Sequence, residues 1–389
     1  MSHAAVMVPG LDRIGGAEQQ AMLLAKGLCR RGWRVTVVSL TGGGGAAAGE
    51  LREAGVEFLS LRMRHGLADP RGWFRLNRWL WRERPDVVHA HLPHAAWMAR
   101  WSCMAAPVPV LIDTLHSSST GKMGRRVGYA LSRWWPDCVT AVSRAAAESH
   151  LRAGMVGKRK LRVLPNGIDD EEWQPDQRMR TGLRNVLGLT DDFLWLAVGR
   201  LEPVKDYPTL LLAMERAPKR THLVVLGDGP QLSELLEMTE KLGLRERVHF
   251  LGFDPDVRNW MQAADGFVLA SRYEGLPMVL LECGACGVPA VATNVAGTRE
   301  VIVNGETGWL ACADGADALA AVMARLMRVP AAERRSMGER ARQLVVKRFS
   351  LETVLERWET LYEELLQRAM SGKRLRAREA LTRQSATHA

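Results

Sequence analysis

Short apolar runs alternate with longer, more polar stretches along almost the whole chain. The runs are typical of strands that are buried on both faces of a parallel sheet. They occur at residues 35–40, 108–114, 137–142, 193–198, 223–226 and 266–270. The stretches between them, such as 18–30 and 278–285, are predicted to be helices. Strands that alternate with helices predict an α/β protein with doubly wound parallel sheets.

The alternation stops once and then restarts, which predicts two domains. The strand predicted at 161–164 precedes Pro165-Asn166-Gly167-Ile168-Asp169, a run of turn-forming residues, and the next strand begins at 193. A chain of 389 residues can supply two hydrophobic cores. We therefore predict domains over residues 1–165 and 166–348. A helix capped by Ser350 follows over 349–370, and a basic tail over 371–389 is predicted to be disordered.

Composition places the protein among ordinary globular chains, with 47% hydrophobic and 25% charged residues. Residues 1–10 lack the features of a signal peptide, and no apolar run is long enough to span a membrane. Six scattered cysteines do not form a disulfide framework and favour a reducing compartment. These features predict a cytoplasmic protein.

Positive charge is concentrated in the first half of the chain. Residues 1–165 contain 24 Lys and Arg but 11 Asp and Glu, a net charge of +13. The whole chain has a net charge of +10, so the remainder is slightly acidic. This excess favours an anionic partner such as a membrane lipid, a lipid diphosphate or nucleic acid, although a solvated basic surface has the same composition. No nucleic-acid-binding module is recognised, so nucleic acid is not predicted as a partner.

A tryptophan-rich basic stretch points to a membrane surface as one candidate partner. Residues 71–84 interleave Trp73, Phe74, Trp79 and Trp81 with arginines. Such a helix either lies in a membrane interface or packs its aromatic rings into a core. The rings do not fall on one helical stripe, so we expect some of them to face solvent or lipid. Peripheral attachment to the inner face of the cytoplasmic membrane is therefore one hypothesis.

The stretch from residue 266 to 300 carries the strongest chemical signal. A predicted strand ends at 270, a turn containing Glu274 follows, and Pro277 is suited to be the first residue of a helix that contains Glu282. The amino terminus of a helix attracts phosphate, whereas carboxylates repel it. We therefore interpret the two glutamates as ligands of hydroxyl groups on either side of a diphosphate. Solvated surface glutamates are the alternative.

Two loops elsewhere could also contact a diphosphate. Arg200 and Lys205 follow the strand at 193–198, and ligands of open parallel sheets bind at the carboxyl ends of strands. Gly15 and Gly16 lie at a strand-to-helix turn, where glycine allows a ligand to approach the backbone closely. Each loop by itself is also compatible with an ordinary surface turn.

The combination of motifs resembles the retaining family 4 glycosyltransferases. The resemblance rests on Glu274 and Glu282 with seven residues between them, on Gly275-Leu276-Pro277 after the first glutamate, and on the linker at 165–169. It covers about residues 5–368 and is strongest over 195–310. It implies the GT-B architecture, in which two Rossmann-like domains face each other across a cleft. The first domain would bind the acceptor and the second a nucleotide sugar, and the carboxyl-terminal helix would cross back to the first domain.

The resemblance also implies roles for particular residues. Arg200, Lys205 and the helix start near Pro277 would stabilise the leaving diphosphate without a metal ion. Glu274 would bind sugar hydroxyls, Glu282 the ribose, and the loop at Phe253 the base. In the family, the Gly-Gly loop faces the donor, and a histidine reaches the donor sugar. That histidine matches His116 best, with His91 as the alternative.

The predicted function is therefore a metal-independent hexosyltransferase without a cofactor. Its donor would be a UDP- or GDP-linked sugar, and its acceptor a saccharide or a polyprenyl-diphosphate-linked glycan in surface polysaccharide synthesis. Asp254 and Asp256 mimic a metal-binding pair, but the family needs no such ligands. Two other functions stay open: a nucleotide-sugar epimerase with the same architecture, and a noncatalytic nucleotide-sugar-binding protein.

Overall fold

The structure is a computed structural model that describes residues 1–12, 14–64, 69–189, 191–312 and 315–386, with only the backbone described for 372–386. The chain forms two compact units. The first unit comprises residues 1–167 and 352–389, and the second unit comprises residues 168–351.

The first unit is built on a seven-stranded parallel sheet with the order β3-β2-β1-β4-β5-β6-β7. Its strands are β1 (His3–Val8), β2 (Arg34–Ser39), β3 (Glu57–Ser60), β4 (Val87–His91), β5 (Val110–Leu115), β6 (Cys138–Ala141) and β7 (Leu161–Val163). β1, β4 and β5 are buried along their whole length, as expected for strands covered on both faces.

Within the described residues, six α-helices of the first unit connect these strands. They are α1 (Gly16–Arg30), α2 (Gly45–Glu53), α3 (Pro70–Glu83), α4 (Pro93–Ala105), α5 (Met123–Leu131) and α6 (Arg144–Arg152). Local sequence sets their ends: Asp69 caps α3 by accepting a hydrogen bond from the Arg71 amide, and Ser143 caps α6 in the same way for Ala146.

The second unit contains a six-stranded parallel sheet with the order β10-β9-β8-β11-β12-β13. Its strands are β8 (Phe193–Val198), β9 (Thr221–Leu226), β10 (Val248–Gly252), β11 (Gly266–Leu269), β12 (Ala290–Thr293) and β13 (Gly308–Ala311). Its helices are α7 (Gln177–Val186), α8 (Tyr207–Glu215), α9 (Leu232–Lys241), α10 (Val257–Ala263), α11 (Met278–Ala285), α12 (Ala316–Arg328) and α13 (Ala331–Phe349).

Both sheets reverse their strand order at an equivalent place. In the first unit the reversal lies between β1 and β4, and in the second unit between β8 and β11. Ligands of doubly wound sheets bind outside the carboxyl ends of the strands at such a switch point. The fold therefore directs attention to the loops that follow these four strands.

The last helix, α14 (Leu351–Ala386), returns the chain to the first unit. Its buried residues Leu355, Trp358 and Tyr362 pack there, with Leu355 directly against Gly27 of α1. A Cβ at Gly27 would come within 2.4 Å of the Leu355 side chain, so glycine permits this close contact.

The disorder predicted for the tail from residue 371 stays a prediction, and the backbone of α14 extends through Ala386 over that segment. The segment is rich in Ala, Leu, Arg and Glu, which are strong helix formers. One other expectation from the sequence is wrong in detail. Pro277 precedes α11 as its capping residue rather than opening it, because its ψ of 117° is extended.

Candidate functional site

The loops after β8 and β11 are bound to each other at the switch point of the second unit. The Arg272 amide donates to the Val204 carbonyl at 2.9 Å, and the Arg272 side chain pairs with Asp206 at 3.0 Å. These contacts hold the turn of residues 203–205 against the turn that begins at Ser271. Residues 69 positions apart in the sequence thereby become neighbours.

Lys205 and Glu274 form the centre of this cluster. The Lys205 ammonium lies 2.7 Å from Glu274 Oε1, and the Ser271 hydroxyl donates to the same oxygen at 2.6 Å. The two charged side chains are only 19% and 13% exposed, so solvent screens their attraction less than that of a surface pair. The carboxylate is held as an acceptor, while the ammonium has three N–H donors to distribute.

Arg200 belongs to the same loop but points to solvent. Its side chain is 74% exposed and lies 3.0 Å from Glu202. An exposed pair of this kind contributes little to stability, so the guanidinium is available to an anionic ligand at small cost. The backbone beneath it is fixed, because the buried Tyr207 hydroxyl donates to the Gly199 carbonyl at 3.0 Å.

The turn Gly275-Leu276-Pro277 leads directly into α11. A Cβ on Gly297 would come within 2.4 Å of the Gly275 carbonyl oxygen, so the turn is packed tightly against the loop after β12. Thr298 braces that loop by donating to the Thr293 carbonyl at 2.7 Å. The first amides of α11 are therefore presented by a rigid backbone.

Glu282 occupies an apolar position inside α11. It is 5% exposed, and no hydrogen bond to its carboxyl group is found among the residues that the structure describes. Burial, reinforced by the nearby Glu172 carboxylate, raises the pKa of Glu282 to about 7.

Phe253 follows β10 at the same edge of the sheet. Its ring is 81% exposed. The preceding Gly252 has a φ of 73°, a conformation that favours glycine, and its carbonyl accepts a hydrogen bond from the Gly227 amide at 2.7 Å. The turn thus holds an aromatic ring in solvent.

The switch point of the first unit carries the other predicted residues. Gly15 and Gly16 begin α1 after β1, and the Gly15 amide donates to the Glu18 carboxylate at 3.1 Å. His91 ends β4, the neighbour of β1, and His116 follows β5. All these residues lie at the carboxyl edge of one parallel sheet.

His91 and His116 touch each other. Nδ1 of His91 lies 2.9 Å from Nε2 of His116, and the ring centroid of His89 lies 4.1 Å from that of His91, with the two rings tilted by 38°. Burial lowers the pKa of His116 to about 4 and that of His89 to about 3, and it holds the pKa of His91 well below its usual value. The three rings are therefore neutral at pH 7. His91 Nε2 and His116 Nδ1 are buried without a hydrogen-bond partner among the described residues.

The hydrogen bonds behind this pair have one consistent direction. Thr140 donates to the Asp113 carbonyl at 3.3 Å, so its hydroxyl oxygen accepts the proton of Thr114 at 2.7 Å. Thr114 then accepts from Nε2 of His89 at 2.6 Å, and Nδ1 of His89 accepts from the Tyr362 hydroxyl at 2.7 Å. This chain fixes the tautomer and orientation of His89.

Sequence reasoning missed several of these groups. Ser271 is an unremarkable serine in sequence, and its contact with Glu274 depends on the turn geometry. His89 was part of a predicted strand, but its partner Tyr362 lies 273 residues away. No local pattern could have joined them.

Two further structural observations concern metal binding and membrane-spanning helices. No group of three or more His, Cys, Asp or Glu residues is arranged to hold a metal ion within the described part of the chain. None of the described helices has both the length and the apolar composition needed to cross a bilayer.

Comparison with known proteins extends this picture. The family model for glycosyl transferases group 1 matches residues 180–344, and the model for glycosyltransferase family 4 matches residues 14–172. N-acetyl-alpha-D-glucosaminyl L-malate synthase of Bacillus anthracis is 30% identical over 75% of this chain and 78% of its own length. The lipopolysaccharide core biosynthesis glycosyltransferase LpsE of Rhizobium meliloti is 27% identical over 88% and 94%.

Solved structures show the same fold. HepE of Anabaena, crystallised with UDP and glucose, has a TM-score of 0.84 and 23% identity, and the match covers 93% of this chain and 100% of that one. Sucrose-phosphate synthase from Thermosynechococcus elongatus has a TM-score of 0.81 and 21% identity, with 94% and 100% covered. The predicted pair of doubly wound parallel-sheet domains is confirmed, and the fold is GT-B.

The fold and the relatives together define an enzyme that transfers a sugar from a nucleotide sugar. The chain belongs to the group 1 glycosyltransferases. The prediction of this activity from the motif around Glu274 is confirmed.

Proposed function

We propose that this enzyme is a retaining hexosyltransferase that acts on a lipid-linked or membrane-proximal saccharide during surface glycan synthesis. The observation that carries the donor side is the cluster of Lys205, Glu274 and Ser271 at the switch point of the second unit. It lies where a doubly wound sheet binds nucleotides, and it combines a cation with a fixed carboxylate.

Transfer requires the bond between the anomeric carbon and the diphosphate to break. Negative charge then builds on the leaving oxygen, and fixed positive groups lower the barrier. We assign this role to Lys205 and Arg200, aided by the first amides of α11. The partial burial of Lys205 strengthens its contribution, while the exposure of Arg200 gives it the reach to clamp a phosphate.

The carboxylates bind hydroxyl groups in this proposal. Glu274 forms an ion pair with Lys205, and carboxylate oxygens can accept hydrogen bonds from sugar hydroxyls. Glu282 would accept from the ribose, whose hydroxyl supplies the hydrogen bond that this buried carboxyl group lacks. Phe253 would pack near the base, with its exposed ring available for stacking.

His116, Gly15 and Gly16 are proposed donor contacts contributed by the first unit. A sugar hydroxyl both donates and accepts, so it matches the free Nδ1 of a neutral imidazole in either tautomer. His91 fixes the ring of His116 from the other side. The low pKa of His116 supports a hydrogen-bonding role and excludes an imidazolium at neutral pH.

The names of the relatives support the choice of substrates to test. HepE has been crystallised with UDP-glucose, while one relative from Mycolicibacterium smegmatis is described as GDP-mannose-dependent. Another, from Escherichia coli, is described as acting on GlcNAc-diphosphoundecaprenol. UDP- and GDP-linked hexoses with a polyprenyl-diphosphate-linked saccharide therefore form the first substrate panel.

The test measures release of nucleoside diphosphate from each donor, with and without that acceptor. We expect release to require the acceptor and the product to keep the anomeric configuration of the donor, read from proton coupling constants. Inversion would contradict the retaining mechanism. A new nucleotide sugar formed without any acceptor would identify an epimerase instead.

A further inference from the structure

Three neighbouring helices of the first unit, α3, α4 and α5, form a layer on its sheet. Asn77 of α3 donates to Ser102 of α4 at 3.4 Å. Gly128 of α5 packs against the Trp97 ring of α4, where a Cβ would come within 2.1 Å. The side of this layer that faces away from the sheet is called here the outer face.

The outer face is apolar although solvent covers it. The inward residues of the layer, such as Leu76, Trp79, Met98 and Tyr129, are buried in one core. Other large side chains of the same helices and of the turn after α5 are exposed. They are Phe74, Trp81, Trp101, Met104, Met123, Val127, Leu131 and Trp134, with exposures from 47% to 75%.

This concentration distinguishes the outer face from the rest of the described surface. Trp81, Trp101 and Trp134 are the only exposed tryptophans among the described residues, and all three lie here. Tryptophan is enriched where an apolar surface meets a membrane interface. Large apolar side chains that are exposed together on one layer of helices are typical of an interaction site.

The charge around the patch has one sign. Exposed cations on α3 and near α5 include Arg71, Arg78, Arg82, Lys122 and Arg125. Over residues 70–84 and 93–135 the only acidic residues are Glu83 and Asp113. Glu83 pairs with Arg34 and Arg82, and the buried Asp113 pairs with Arg100. The surface therefore carries an unbalanced positive charge.

We propose that the outer face docks the enzyme on an anionic lipid bilayer. The exposed rings and aliphatic chains would enter the interface, and the surrounding cations would bind lipid headgroups. A second copy of the chain would bring like charges together. Nucleic acid would leave Met104 and Leu131 without an apolar partner. Of these three partners, only an anionic bilayer offers an apolar environment to the exposed rings and aliphatic chains and negative charge to the cations.

The apolar half of the proposal is tested by vesicle sedimentation with the full-length chain and no sugar donor. We compare vesicles of phosphatidylcholine alone with vesicles that also contain phosphatidylglycerol. A triple variant in which serine replaces Phe74, Trp81 and Leu131 should bind the anionic vesicles at least tenfold more weakly. The matched control replaces exposed apolar residues of α7 in the second unit, Met179 and Val186, with serine and should bind like the parent.

The cationic half is tested with a second triple variant, Arg71→Gln, Arg78→Gln and Lys122→Gln. Each lost cation should weaken binding about fivefold, so the variant should lose about a hundredfold. The parent should also dissociate as salt is raised to several tenths molar, roughly where the Debye length falls below 8 Å. The matched control removes three exposed cations of the second unit and should leave binding unchanged. These are Arg178, Lys219 and Arg335.

Circular dichroism and nucleotide release in solution establish that each variant is folded and active. Retained activity with lost vesicle binding supports the proposal. Equal binding of the parent to neutral and anionic vesicles, no binding to either, or undiminished binding by the triple variants would overturn it. Self-association of the parent that the serine variant abolishes, without vesicle binding, would assign the face to a second copy instead. Because the vesicle assay contains no donor, its outcome is independent of the proposed sugar transfer.

Discussion

The switch points of the two sheets occupy equivalent places in the same fold but carry opposite chemistry. In the second unit, the loops after β8 and β11 bring together an ammonium and a carboxylate, Lys205 and Glu274. In the first unit, the strands β4 and β5 present the neutral rings of His91 and His116. The topology determines where the groups lie, and the side chains determine what they can bind.

The difference in burial explains why one cluster is ionic and the other is not. Lys205 and Glu274 keep part of their surface in solvent and neutralise each other. The histidines are enclosed, and burial disfavours their charged forms. A charged cluster is suited to a diphosphate and a neutral one to hydroxyl groups, and this contrast leads to four predictions.

The largest effect is expected at the ionic cluster. Replacing Arg200 or Lys205 with alanine should lower kcat by about two to three orders of magnitude, the scale observed when one donor to a developing oxyanion is lost. The measurement is turnover at saturating donor with the acceptor present.

Arg245→Ala provides the matched control for Arg200. Arg245 is 80% exposed and lies 3.0 Å from Glu240, much as Arg200 is 74% exposed and lies 3.0 Å from Glu202. Wild-type kcat is expected for this control. If Arg200→Ala behaved like the control, the assignment of Arg200 to the diphosphate would be wrong.

A smaller loss is expected at the neutral cluster. His116→Leu should lower kcat/KM for the donor about fivefold, because a hydrogen bond between neutral groups contributes roughly 1 kcal/mol. His91→Asn keeps a side chain that can bond to His116 and should retain more activity than His91→Leu. Equal losses in the two His91 variants would show that His91 does not act through this bond.

The stability of the two units should respond to pH with opposite signs. His89 has a folded pKa of about 3 against an ordinary value of 6.5, so the folded first unit binds fewer protons and loses stability as pH falls below 6.5. Glu282 has a folded pKa of about 7 against 4.5, so its burial costs the second unit more as pH rises from 4.5 to 7.

Hydrogen exchange, corrected for the intrinsic rate, can measure the two units separately. Between about pH 7 and pH 5, protection of β4 and β5 should fall while protection of α11 rises. Glu282→Gln should remove the pH response of α11 only. A change of the same sign in both units of the parent protein would contradict the opposite shifts.

No effect is expected from removal of divalent metal ions. The described donor-side groups are cations and single carboxylates, and none forms a metal-binding cluster. Turnover should therefore survive EDTA. If EDTA abolished activity and Mg²⁺ or Mn²⁺ restored it, a metal ion would contribute to the stabilisation of the leaving diphosphate that we assign to Lys205 and Arg200.

The sequence predicted the second unit better than the first. The Glu274–Glu282 spacing, the turn before α11 and the loop carrying Lys205 are all local patterns, and parallel topology then brings strand ends together. The Lys205–Glu274 contact itself was not predicted, because it depends on two loops packing against each other.

In the first unit, the decisive contacts join distant segments. The chain of hydrogen bonds through His89 needs Thr114, Thr140 and Tyr362 from three separate elements. The sequence also predicted that some aromatic rings of 71–84 face solvent or lipid, but it did not identify which ones. The structure buries Trp79 at 7% exposure and leaves Phe74 at 68%. This division depends on which face of the helix packs against the core.

The return of α14 to the first unit has a consequence for how the protein is made. A ribosome releases residues 168–351, the whole second unit, before it releases the helix that completes the first unit. Until Tyr362 emerges, His89 lacks its donor, and Gly27 lacks the Leu355 side chain that covers it. Domains generally fold as units as they emerge, so the second unit can mature first although its sequence comes later. The first unit therefore completes its fold only after α14, roughly the last tenth of the chain, has been synthesised. Nascent chains stopped before α14 should be the ones that chaperones and proteases recognise.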